Sequence, residues 1–288
     1  MFYTAIAVLV RVFANPVANV FQKQLTGRGN DPTAVNLATY LLLSLGCIVP
    51  ALGVDWSAMS AGFWRNCALV GLFGGVGNAF LVKALQRGEL SVLGPINSYK
   101  SVVGIIVGII VLGEIPNLYG LLGVALIIGG SYFVLSTPGE RFSWRLLGRK
   151  DIRWRIYAMV FTAVEAVFIK KVILLSSATV SFIVWCWFGA LASLAVMLFF
   201  VSPRELGWIK RRDIPDFLYV ALCVGLTQYA TNFVFDRMDV GYALALFQLS
   251  TIVSVFLGYR VFHEQGVCNK LIGSVIMIAG SVVIILLN

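Results

Sequence analysis

The residues of this chain whose types suit chemistry are few, and nearly all sit inside long apolar runs. Asn97 and Lys100 are one helical turn apart, hence on one face, with Tyr99 beside them. The run around them is about twenty residues long, enough to span a bilayer core, and Lys100 lies too deep in it to reach water easily. A cation so placed needs a cavity or a partner. It suits a substrate carboxylate or phosphate, or the carboxylate of Glu165, the only acidic residue deep in an apolar run. Glu165 is the expected proton-coupling group or the partner of a substrate amine. A structural pairing with a lysine explains it equally well.

Amides supply the rest. Arg11, Asn15, Asn19 and Gln22 are spaced by four, four and three, so they share one helical stripe, with Lys23 next to them and Pro16 loosening the backbone. Gln228 and Asn232 share a face beside Tyr229, as Gln248 does with Thr251. The expected substrate-binding set is Asn15, Asn19, Asn97, Tyr99, Lys100, Gln228, Asn232 and Gln248, with Glu165 carrying protons. For each amide the plain alternative is hydrogen bonding between packed helices. For Arg11 it is snorkelling, and for Lys23 an interfacial position. Trp185 and Trp187 read as packing residues, and Trp56, Trp64, Trp144 and Trp208 as an interfacial belt.

The elements that must position these groups are membrane helices. Hydrophobic residues make up 59% of the 288, charged ones only 12%, and the mean hydropathy is +0.91. A soluble domain carries roughly twice that charge fraction. The apolar runs are continuous, not alternating, which excludes a β-barrel. Ten spans are predicted, over 3–25, 33–52, 63–86, 91–112, 117–135, 155–176, 179–201, 214–236, 241–262 and 268–287. The run 3–25 lacks a basic leader and a small-residue cleavage site, so it reads as a helix of the bundle. The fold class is all-α and polytopic.

The net charge of +9 sits mostly in short loops beside the spans, where it sets topology and meets anionic headgroups; nucleic acid is not an expected partner. Five scattered cysteines (Cys47, Cys67, Cys186, Cys223 and Cys268) form no CxxC, and one histidine, His263, builds no zinc site. No Walker loop, HExxH or GxSxG is present. No cofactor, metal or catalysis is therefore expected. The lipid bilayer and a small-molecule substrate are the expected partners, with protons as a coupling ion, and the protein as a monomer or weak homodimer.

The chain repeats itself. Shifted by 150 positions, Glu114 falls on Glu264, Gly75 on Gly225, Arg87 on Arg237, Gly108 on Gly258, Gly123 on Gly273 and Gly130 on Gly280. The first spans align at a shift of 147, where Lys23 meets Lys170. Two five-helix units follow, 1–136 and 155–288, joined by a basic amphipathic linker, 137–154. Five is odd, so the second unit must enter the membrane inverted, a plan that secondary transporters use around a midplane site. Gly104 and Gly108 make a small-xxx-small face for close helix approach. Glu114 and Glu264 lie at turns and read as groups that cap or bridge neighbouring helices.

The turn Leu112-Gly113-Glu114, the Gly94-Pro95 opening the fourth span and the Gly123…Gly130 helix, all inside a duplication, resemble the EamA-type permeases of the drug/metabolite transporter superfamily. The second copy departs, with Phe262-His263-Glu264 at the turn and Ala245-Leu246 in place of Pro95-Ile96. The resemblance implies a ten-helix carrier in the inner or plasma membrane. Its central cavity would move small metabolites or amphipathic compounds, often outward; amino acids or related organic ions are the expected cargo. A flippase for a lipid or lipid-linked sugar and a membrane enzyme on lipid-linked substrates are the alternatives. The family implies cytoplasmic termini, whereas the basic loops, by the positive-inside rule, place both termini outside.

Overall fold

The computed structural model describes residues 2–88, 93, 96–135, 148–200, 211–262 and 268–287, and among them every regular element is helical. The first unit contains α1 (Phe2–Gly27), α2 (Pro32–Gly46), α3 (Ala61–Arg87), α4 (Lys100–Leu112) and α5 (Leu118–Leu135). The second contains α6 (Lys150–Leu174), α7 (Ala178–Phe200), α8 (Ile214–Phe235), α9 (Val240–Leu246), α10 (Ser250–Phe262) and α11 (Cys268–Leu287). Local chemistry sets several boundaries. Asp31 accepts the Thr33 and Ala34 N–H groups with Pro32 at the first helical position, which satisfies donors that a helix start leaves orphaned. Ser60 caps α3 through the Phe63 N–H. Gly113, in the left-handed region at φ 73°, ends α4, as a residue without a Cβ does at no steric cost.

The duplication survives in the backbone register. A 3-10 turn at Asn97–Tyr99 precedes α4, and another at Phe247–Leu249 precedes α10. The turns, the helices behind them (100–112 and 250–262) and the starts of α5 and α11 (118 and 268) are all offset by 150. The spans 91–112 and 241–262 therefore each tighten into a 3-10 turn at the same place. Among the described residues, five helices are long and apolar enough to cross a membrane: Phe2–Gly27, Ala61–Arg87, Ala178–Phe199, Arg211–Phe235 and Val240–Phe262. Lys100–Leu112, Leu118–Gly130 and Val275–Ile284 are shorter apolar helices. Two other predicted spans stand apart for physical reasons: α2 has 15 residues, and α6 carries Lys150, Asp151, Arg153, Arg155, Glu165, Lys170 and Lys171.

Equivalent helices meet antiparallel. In the α5–α11 contact, a side chain on Gly123 would strike the Gly280 carbonyl and Ile284, and one on Gly130 would strike the Gly273 carbonyl and Met277. The two contacts are exchanged by the shift of 150. Between α2 and α7, Asn36 donates to Ser193 at 2.8 Å, Tyr40 lies against Gly189, and Trp187 donates to the Ser44 carbonyl. Between the equivalent spans 91–112 and 241–262, through α4 of the one and α9 of the other, Gly104 faces Leu244 and Gly241 faces Ile105, so Gly104 does serve close approach, as its small-xxx-small spacing predicted. Equivalent helices packed antiparallel define an approximate two-fold relation between the units. Most of the amphipathic linker, the Gly94-Pro95 pair, His263, Glu264, Trp144 and Trp208 lie outside the described residues.

Candidate functional site

Between the two units lies a polar cavity of about 110 Å³. Matched positions of the two repeats line it. α1 supplies Arg11, Asn15, Ala18, Asn19 and Gln22, and α6 supplies Arg155, Ala158, Thr162 and Glu165. At the shift of 147, Arg11 corresponds to Ala158, Asn15 to Thr162 and Ala18 to Glu165. α3 contributes Asn78 and α8 its counterpart Gln228. The 3-10 turn before α4 brings in Asn97, and Lys100 follows at the helix start. A smaller pocket shares Asn15, Asn19, Asn97 and Arg155 and reaches Ser250, Thr251 and Ser254.

Glu165 is 5% exposed. Its Oε1 accepts the Trp185 indole N–H at 2.6 Å, a charge-assisted bond that fixes one oxygen. Room for the carboxylate comes from Gly74 on α3, where any Cβ would lie 2.1 Å from Glu165 Oε1. Trp185 is held in turn by Tyr40, ring centroids 4.7 Å apart, and the Tyr40 hydroxyl accepts from Asn78 at 2.7 Å.

Opposite this one carboxylate stand three cations. Lys100 shares this wall with Arg11 and Arg155; no ion pair within 4 Å links it to Glu165 among the described residues. Arg11 is 9% exposed, and its Nε and Nη1 have no hydrogen-bond partner among the described residues. Its guanidinium lies 4.4 Å from the Phe247 ring centroid, a cation–π contact that holds the group without satisfying its donors. Arg155, 8% exposed, donates its Nε to the Leu93 carbonyl at 3.0 Å, its one acceptor among the described residues.

Of the predicted site residues, Asn15, Asn19, Asn97, Lys100, Glu165 and Gln228 come together on this cavity. Three do not line it. Tyr99 is 49% exposed and points away, because the residue between two members of one stripe faces elsewhere. Asn232 is fully buried, accepting from Gln228 at 2.8 Å and donating to the Ala178 carbonyl at 3.2 Å. Gln248 donates to the Leu244 carbonyl at 3.0 Å and accepts a long 3.4 Å bond from Asn97; it backs the cavity from behind. Arg11 does not snorkel, and Trp185 holds Glu165 as well as packing. Sequence reasoning missed Arg155, Tyr40, Asn78 and Thr162. For Asn78 the duplication held a signal, since it matches Gln228.

The two ends of the bundle are closed by different chemistry. At one end Asp213, fully buried, accepts from Asn30 and Arg28, both at 3.1 Å, and Arg28 also pairs with Asp216. These two carboxylates hold the Arg28 guanidinium above its ordinary range. At the other end Lys170 donates to the Phe235 and Met238 carbonyls, Glu114 accepts the Val240 N–H at 2.9 Å, and the Tyr242 hydroxyl accepts the Asn117 N–H at 2.7 Å. Glu114 thus bridges to the start of α9 in the other unit. Burial pushes its carboxyl above the usual range.

The EamA-like transporter family matches residues 3–136 and 151–286, one match per unit. A crystal structure of a protein superposes with a TM-score of 0.74 at 16% identity, covering 98% of this chain and 97% of the other; at that identity the likeness concerns the fold. No curated protein sequence matches.

Proposed function

The chain belongs to the EamA-like transporter family, and from that premise we propose that it is a secondary transporter of small metabolites such as amino acids or related organic ions, working outward by alternating access. It is a multi-pass membrane protein of the drug/metabolite transporter superfamily. In our reading the inner or plasma membrane holds it, with ten spans in two inverted repeats, as a monomer or weak homodimer.

The observation that carries this reading is the cavity lined at matched positions by both repeats. Units related by an approximate two-fold exchange roles when they rock, so a site on the axis can face either side of the membrane in turn. The size of the cavity, about 110 Å³, suits a small metabolite; an apolar cavity of about 150 Å³ accommodates benzene. That favours this reading over a flippase for lipid-linked sugars. Asn15, Asn19, Asn97, Lys100 and Gln228 bind the cargo, and Glu165 takes up a proton or a cargo amine.

Reconstitution into proteoliposomes with amino acids and organic acids as candidate cargo tests it. Uptake that follows an imposed pH gradient and is lost in Glu165→Gln supports the assignment. Proton-dependent transport unchanged in Glu165→Gln removes Glu165 from coupling. No counterflow with any candidate class removes the transporter reading itself.

A further inference from the structure

The cavity is mismatched in charge, and the mismatch points to its cargo. Arg11, Lys100 and Arg155 bring three basic side chains onto a wall with one carboxylate, Glu165. The arginines are more than nine-tenths buried, and Arg11 keeps Nε and Nη1 without acceptors among the described residues. Buried guanidinium donors without acceptors are costly. Buried guanidiniums are tolerated where a bound anion offsets them. Among the described residues no ion pair joins Glu165 to either guanidinium, and within the cavity Lys100 balances Glu165. The residual charge is that of the two guanidiniums, whose planar forks suit carboxylate or phosphate oxygens.

We infer that the cargo carries two negative charges on a small frame, as a dicarboxylate or a phosphorus oxyanion, held by Arg11, Arg155 and Lys100. This rests on the transporter reading and narrows its substrate class. A single carboxylate leaves one of the cations without a counter-charge. A zwitterion, with no net charge, leaves the excess of two in place.

The test uses the full chain in lipid nanodiscs and four probes of similar size: the dianions succinate and methyl phosphate, and the monoanions butyrate and methanesulfonate, at pH 8. Binding is read by calorimetry and by the rise in melting temperature. The dianions should bind at least tenfold more tightly than the monoanions. Succinate ahead of methyl phosphate would mark a dicarboxylate carrier, and the reverse order a phosphate-ester carrier. Arg11→Gln and Arg155→Gln should each weaken the preferred dianion tenfold or more, while Arg237→Gln, which removes a partly exposed cation paired with Asp236, leaves it unchanged. If an arginine variant does not fold, its Lys replacement, which keeps the charge and loses the fork, should lower affinity without erasing the preference for two charges. Equal binding of monoanions and dianions, or undiminished dianion binding in folded Arg→Gln variants, overturns the inference. Amino-acid counterflow that survives such a result would leave the transporter reading standing and remove only the dianion.

Discussion

The two repeats share a backbone and divide the chemistry. At the 3-10 turn and the first residue of the helix behind it, the first unit reads Asn97-Ser98-Tyr99-Lys100 and the second Phe247-Gln248-Leu249-Ser250. The first gives the cavity an amide and a cation; the second gives a phenyl ring under Arg11 and a hydroxyl at the edge. The α3–α6 contact holds Gly74 against Glu165, and the equivalent positions on α8 and α1 hold Val224 and Ala18. Bulk has moved from one helix to its neighbour. Backbone symmetry is what rocking about an axis requires, and side-chain asymmetry is what recognition of an asymmetric cargo requires. The duplicated chain meets both demands.

The strongest way to break this comparison is to force the second unit's pair onto the first. In Gly74→Val the new side chain occupies the space of the Glu165 carboxylate, and overpacking costs about 1–3 kcal/mol or more. We expect loss of transport and a clear drop in melting temperature. Adding Glu165→Ala recreates the Val224–Ala18 arrangement and should restore the melting temperature while leaving transport absent. A double variant no more stable than Gly74→Val would mean that the two contacts are not equivalent.

A second symmetrising change is Lys100→Ser, the residue of the second unit. Transport should fall at least tenfold. Stability should hold or rise, because a buried charge without a close counter-charge contributes little to folding and costs desolvation. Measured together, uptake and melting temperature must move in opposite senses or the second not at all; a parallel loss would make Lys100 a structural residue.

These expectations depend on residues that were unequally legible in the sequence. The fold was legible because a repeat register is a long-range signal: the shift of 150 carries the 3-10 turns as well as the glycines. The stripe Arg11, Asn15, Asn19, Gln22 was legible because helical spacing alone puts its members on one wall, and all four line the cavity. Asn232 and Gln248 share faces just as well, yet neighbouring amides and carbonyls consume their hydrogen-bonding capacity, which periodicity does not report. Arg155 begins a predicted span, where hydropathy reads a charge as interfacial. Its burial arises from α6 starting earlier, at Lys150, and this puts Arg155 more than a turn inside the helix.

The end networks sharpen the comparison with smaller effects. Asp213 occupies the position that Phe63 fills in the first unit. Asp213→Ala removes a buried acceptor shared by Asn30 and Arg28 and should cost about 1–3 kcal/mol. Arg28→Gln should cost less than that, since its side chain is 41% exposed and the pair is screened by water. Chemical denaturation of the two variants in one detergent gives the ordering, and a costlier Arg28→Gln would reverse the assignment of Asp213 as the anchor.

At the opposite end Glu114 gives the smallest and most pH-dependent effect. Its carboxylate accepts the Val240 N–H, but burial opposes the charge more than that bond favours it, so its folded pKa lies above the ordinary carboxyl value. An acid raised in this way contributes its full stability below the unfolded pKa and loses it as pH rises through the folded one. Glu114→Gln keeps an acceptor and has no charge to desolvate. Relative to wild type it should therefore be less favoured at pH 4 than at pH 8, with a crossover in melting temperature of a few degrees at most. Glu114→Ala loses the acceptor at both pH values and should cost about 1 kcal/mol throughout. A Glu114→Gln variant whose melting temperature tracks wild type in parallel from pH 4 to pH 8 would show that the Val240 N–H stabilises the carboxylate fully, and that the bridge between the units is an ionic cap.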